Sequence, residues 1–114
     1  NDPDYIDILN YIIKKHQIDF LHSQPDLEIE VLSDRREDLK VKTNFPSKET
    51  VLICIDKWES YKRWETAGVK VPKTLFISNK KDLINAFEIL GKAIWLRNIK
   101  GAGGKVSLPN LDFE

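Results

Sequence analysis

Apolar and polar positions along the chain fall repeatedly into a helical rhythm and then a strand rhythm. Ile6, Leu9 and Ile13, with Ile8 and Ile12 beside them, make an apolar face at helical spacing. Asp2-Pro3 supplies a start for this helix, with Asp as N-cap and Pro at the first helical position, and the pattern ends near Gln17. Ile18 to His22 predicts a short strand, broken by Pro25-Asp26. From about Leu27 to Asp38 a charged surface helix is expected, followed by a strand over Lys40 to Phe45 that Pro46 stops. Ser47-Lys48-Glu49-Thr50 opens a helix that continues through Val51, Leu52 and Ile55. Asp56 caps a second helix, Glu59 stands three positions later as in a capping box, and Gly68 closes it. Pro72 leads into a strand over Lys73 to Ile77. Asn79 caps a helix with a core face of Leu83, Ile84, Phe87 and Leu90, closed by Gly91. Ala93 to Arg97 then reads as a strand. The alternation predicts the α/β class, with one boundary near Phe45 to Lys48.

Composition narrows the classes of function. The 114 residues carry 18 basic and 18 acidic side chains and a formal net charge of zero, which gives no global attraction to nucleic acid or anionic membrane. No apolar run is long enough to span a bilayer and no signal peptide is visible, so a cytoplasmic protein is expected. Cys54 is the only cysteine, which excludes an internal disulfide and a cysteine metal cluster; flanked by Ile53 and Ile55, it is expected to pack in the interior. His16 and His22 have no metal-ligand spacing.

The candidate chemistry lies in the stretch from Ile94 to Ser107, a strand that ends in Arg97 and opens into Lys100-Gly101-Ala102-Gly103-Gly104-Lys105-Val106-Ser107. Glycines let backbone N–H groups turn toward an anion, and flanking cations neutralise its charge. Such a loop suits phosphate, and a nucleotide is its most common bearer. A Walker loop is excluded: its first glycine would fall at Ile99, and Val106 holds the Ser/Thr position. A dinucleotide fingerprint is excluded as well, because Val106 stands at the sixth position from Gly101 and Pro109 follows, arguing against a helix. What remains is a strand–loop–strand hairpin whose tip covers phosphates, or an ordinary surface hairpin.

The run Asp56-Lys57-Trp58-Glu59-Ser60-Tyr61-Lys62-Arg63-Trp64-Glu65-Thr66-Ala67-Gly68-Val69-Lys70-Val71-Pro72-Lys73-Thr74 resembles the Asp-Lys, helix, Ala-Gly-x-x-x-Pro-x-Thr signature of the ATP-grasp superfamily. The strand and loop from Ile94 to Ser107 resemble that superfamily's phosphate-covering hairpin, and the two motifs stand in its order. Within the superfamily the chain is most similar to carbamoyl-phosphate-synthase-like proteins. The resemblance implies an α/β fold in which residues 1–46 are the end of a Rossmann-like pre-ATP-grasp domain and residues 47–114 are the N-terminal subdomain of an ATP-grasp fold. The chain lacks methionine and ends soon after the loop, so it is expected to be the front portion of a longer ligase.

The roles implied are specific. Lys57 and Arg97 would reach nucleotide phosphate, Gly101, Gly103 and Gly104 would shape the flap, and Lys105 and Ser107 would line it. Two residues depart from the pattern. Arg97 replaces a usual lysine, keeping charge but gripping phosphate through two parallel N–H bonds. Val106 replaces a frequent glycine and resists positive φ. The implied cofactors are ATP and Mg²⁺, with the metal ligands and adenine-binding segment after Glu114. The implied reaction is phosphorylation of a carboxylate and displacement of phosphate by an amine or similar nucleophile. Catalytic residues are not assigned, the segment alone is expected to be inactive, and the partners are ATP and an unspecified carboxylate, with a homo-oligomer allowed. The alternative is a non-catalytic nucleotide-binding or regulatory module that keeps the flap, or an interaction protein anchored by Trp58 and Trp64. The stripe Trp58, Tyr61 and Trp64 is otherwise assigned to packing, Asp34 to Asp38 to a solvated helix face, and His22 to a loop.

Overall fold

The computed structural model describes residues 3–101 and 107–109. Helices and small sheets are mixed, and the chain divides inside one helix into two compact units, Asn1–Leu52 and Ile53–Glu114. Among the described residues no helix is long and apolar enough to cross a membrane.

The first unit holds α1 (Tyr5–His16), β1 (Phe20–Leu21), α2 (Asp26–Asp34), a short 3-10 turn (Arg36–Asp38), β2 (Lys42–Thr43) and the start of α3 (Lys48–Ile55). β1 and β2 pair in parallel, Phe20 opposite Lys42 and Leu21 opposite Thr43, so α2 is the crossover that a parallel pair requires. Ile6, Leu32 and Phe45 form the buried core, with Tyr5, Leu9, Leu21 and Leu39 packed against it. The Asn10 side chain of α1 ties down the chain that leaves the 3-10 turn. Its Nδ2 donates to the Asp38 carbonyl at 2.8 Å, and its Oδ1 accepts from Lys40 N–H at 2.9 Å.

Four expectations are corrected in this unit. α1 begins after Asp4, not Asp2 (which lies outside the described residues); Asp4 is its N-cap and makes no side-chain cap bond. Its apolar residues do not form one face. Ile6 and Ile13 are buried, whereas Ile8 and Ile12 are exposed, because Ile8 lies about 160° around the helix from Ile6 and Ile12 about 100° from Ile13. The expected helix over 27–38 breaks at Arg35 into α2 and the 3-10 turn. The charged run there is not all solvated: the Arg36 guanidinium turns inward and donates to the carbonyls of Phe45 and Pro46. α1 does end as expected at Gln17, which adopts the left-handed conformation while Ile18 N–H reaches back to the Ile13 carbonyl at 3.0 Å.

The second unit holds the end of α3, then α4 (Lys57–Thr66), α5 (Lys80–Leu90), β3 (Trp95–Arg97) and β4 (Ser107–Pro109). α4 starts where the sequence places it: Asp56 Oδ1 accepts from Trp58 N–H at 3.0 Å and Glu59 N–H at 2.9 Å. It ends on Gly68 at φ 76°, with Val69 N–H bonded to the Trp64 carbonyl and Gly68 N–H to the Glu65 carbonyl. Asn79 caps α5 by accepting from Asp82 N–H at 3.0 Å. Three expectations fail here. Residues 69–78 form no strand, because among the described residues β3 pairs only with β4 and nothing offers that segment a ladder. Ile84 is exposed and Ala86 takes its place as the buried residue of α5. Cys54 is exposed, because in a helix its neighbours Ile53 and Ile55 lie about 100° to either side of it and do not share its face.

The core is small, so each member carries a large share of stability. Leu32→Ala is expected to destabilise the first unit by about 2–5 kcal/mol, read as a lower urea midpoint. An acid-sensitive link lies beside it. The Glu28 carboxylate accepts from Ser23 Oγ and, at 2.7 Å, from Tyr5 Oη. The Ser23 bond and then the Tyr5 bond hold the Glu28 carboxyl below its ordinary value, while burial and the same carboxylate push the Tyr5 phenol up to about 12. A carboxyl depressed by folding contributes stability that is full above its unfolded value and is lost as pH falls through its folded value. Acid titration should therefore unfold the protein progressively at pH below about 4, and Glu28→Gln should flatten that acid limb. An unchanged limb would remove Glu28 from this role.

Candidate phosphate-facing site

Two segments distant in sequence meet at the N-terminus of α4. Lys57 N–H donates to the Ile99 carbonyl at 3.0 Å. The Lys57 ammonium donates to the same carbonyl at 3.3 Å and to the Gly101 carbonyl at 2.7 Å. The capped end of α4 thus holds the root of the glycine loop just after β3. The cap explains the precision: Asp56 fixes where the helix begins, and that fixes where the backbone and side chain of Lys57 emerge.

β3 and β4 make an antiparallel hairpin with Trp95 opposite Pro109, Leu96 opposite Leu108 and Arg97 opposite Ser107. The strand–loop–strand reading of this stretch is therefore correct for its two arms. Pro109 fits in this short ladder at its end, where a missing N–H costs little. Trp95 Nε1 donates to Ser107 Oγ at 2.6 Å, which leaves the Ser107 hydroxyl hydrogen available to another acceptor. Gly101 leaves β3 at φ 104° with open space where a Cβ would stand, so its backbone angle, not crowding, demands glycine.

Between α4, the unpaired segment and β3 lies a cavity of about 580 Å³. Lys57, Lys73 and Arg97 line it, and among its lining residues there is no carboxylate. Its apolar wall includes Trp58, which stacks on Tyr61 with ring centroids 5.3 Å apart and tilts against Phe76 at 5.5 Å. Three cations facing a space without a counter-carboxylate favour an anion, and aromatic faces favour a ligand with a flat or apolar part. Among the described residues no group of three His, Cys, Asp or Glu side chains is arranged to hold a metal ion.

Of the residues named from the sequence, Lys57 and Arg97 share this cavity, and Gly101 and Ser107 stand at the two roots of the loop. Gly103, Gly104 and Lys105 lie outside the described residues, as does Val106. Sequence reasoning missed Lys73, whose alternation within an expected strand carried no sign of the face it joins. It also read the aromatic stripe of α4 as one packed row. Trp58 and Tyr61 are partly buried, but Trp64 is 54 % exposed. His22 lies apart from the site, with Nδ1 3.3 Å from Asn44 Oδ1. Neither a family model nor a curated protein matches the chain.

The junction yields its own test. Asp56→Ala should cost about 1 kcal/mol of stability through the lost cap. Because the cap positions Lys57, amide exchange at Ile99 to Gly101 should also quicken. Loss of stability without faster exchange in that segment would separate the cap from the loop root.

Proposed function

We propose that this chain supplies the phosphate-binding front of an ATP-grasp ligase, which activates a carboxylate as an acyl phosphate for attack by an amine or similar nucleophile. The observation that carries the reading is the cavity at the root of the glycine loop, lined by Lys57, Lys73 and Arg97 with no opposing carboxylate. Arg97 would grip phosphate oxygens through its fork of N–H groups. Lys57 has three donor hydrogens, and the Ile99 and Gly101 carbonyls occupy two partners' worth of them, leaving one for a phosphate oxygen. Gly101, Gly103, Gly104, Lys105 and Ser107 would close over the phosphates as a flap. Positioning plus positive charge is the main demand of phosphoryl transfer, and these residues answer it. Among the described residues no group of His, Cys, Asp or Glu side chains is arranged to hold Mg²⁺.

A second reading rests on the same lysine. The bonds from Lys57 to the loop carbonyls are a structural staple as they stand, which suits a nucleotide-binding or regulatory module without chemistry. The two readings part on turnover. The ligase reading expects ADP release when the intact protein is given ATP, a divalent cation, a carboxylate and an amine.

ATP binding tests the site itself. Arg97→Ala is expected to weaken ATP binding by about tenfold or more in titration calorimetry, and Arg97→Lys to recover part of it. Lys57→Ala should weaken it as well and also loosen the loop root. ATP binding equal to the parent in both alanine variants would reject the assignment.

A further inference from the structure

α1 is apolar on two sides. Ile6 and Ile13 face the core, while Ile8 is 51 %, Tyr11 63 % and Ile12 39 % exposed. A helix that is apolar on both sides has use for two partners. At 100° per residue, Ile8, Tyr11, Ile12 and Lys15 occupy an outer face about 100° wide. Lys15 stands near the middle of its width at the C-terminal end, with its ammonium 5.7 Å from the centre of the Tyr11 ring. On one flank of this face stand Asp7 in the first turn and Lys14 in the last, about 20° apart around the axis.

We propose that the outer face of α1 binds a second copy of this chain, helix against antiparallel helix. The arrangement of charge on the helix fits that occupant, beside a groove that Arg35, Glu37, Asp38 and Lys40 also line. A two-fold axis through such a pair reverses helix direction and keeps each flank on its own side. Asp7 of one copy then lies beside Lys14 of the other, and the converse pair forms symmetrically. The registers agree: the midpoint of Asp7 and Lys14 and the midpoint of Ile8 and Ile12 differ by half a residue, about 0.8 Å of rise. One alignment therefore sets Ile8 against Ile12 of the second copy, places Tyr11 near the axis, and closes both ion pairs at the rim. In a parallel two-fold pair these flanks would lie on opposite sides of the interface, so Asp7 and Lys14 would form no pair across it. The helix spans 12 residues, and one such pair buries less than a standard interface, so the dimer is weak and concentration-dependent.

The test is sedimentation equilibrium of the whole chain from about 10 µM to about 1 mM, where a reversible dimer should emerge. Asp7→Lys and Lys14→Glu each place like charges at both rim positions and should weaken self-association by about tenfold. An equimolar mixture of the two variants restores both attractive pairs, Asp7 with Lys14 and Lys at position 7 with Glu at position 14, and should associate like the parent. Both positions are exposed, and circular dichroism checks that each variant keeps its fold. A chain monomeric to the highest concentration assigns the face to some other occupant and overturns the proposal. A dimer indifferent to both swaps, or a mixture that fails to associate, overturns it equally.

Discussion

The contact between Lys57 and the Ile99 and Gly101 carbonyls spans 42 and 44 residues and sets the geometry of the second unit. A backbone N–H and an ammonium from one residue converge on the chain just past β3. Because the bonds are made to carbonyls, they constrain the path of the main chain and not only a side chain. The hairpin, the glycine that leaves it and the cavity beneath all take their position from this junction. Asp56 stands behind it, since a capped helix start fixes the direction in which Lys57 leaves the backbone.

The same junction explains the electrostatics of the cavity. Two lysines and an arginine face it from three different segments, α4, the unpaired segment and β3. The carboxylates of α4 are engaged elsewhere: Glu59 pairs with Lys62, and Glu65 accepts from Tyr61 Oη at 2.8 Å. Acidic side chains are thus held along the helix surface, and positive charge is concentrated at the loop root. That separation of charge favours an anion over a cation in the cavity, and the aromatic wall of Trp58 and Phe76 favours one with an apolar portion.

The first unit works by a different rule. Its core cluster is the three buried residues Ile6, Leu32 and Phe45, and polar ties finish what apolar burial begins. Asn10 closes the turn after α2 through both ends of its amide, Arg36 binds the carbonyls that precede α3, and Glu28 gathers Tyr5 and Ser23. Each tie satisfies backbone or side-chain groups that a small core leaves near its edge. On α1, Ile6 and Ile13 are buried in this unit while Ile8, Tyr11 and Ile12 stay exposed.

Local signals determined a great deal from the sequence alone. The caps at Asp56 and Asn79, the glycine stop at Gly68 and the two arms of the hairpin are short-range features, set by side chains that bond to backbone a few residues away or by backbone angles only glycine takes readily. Where partners lie far along the chain, the pattern was ambiguous and tertiary structure decided. The periodicity over 73–77 fits a strand, yet a strand exists only beside another, and none lies beside it among the described residues. Ile8, Ile12 and Ile84 carry the same hydropathy as their buried neighbours, and Cys54 sits among apolar residues; which of them face the interior depended on what packed against each helix. Lys57 looks like any helix lysine in sequence. Its engagement with Ile99 and Gly101 is visible only once the chain has folded back, because a hydrogen bond across that distance is written in the path of the backbone and not in the spacing of residues.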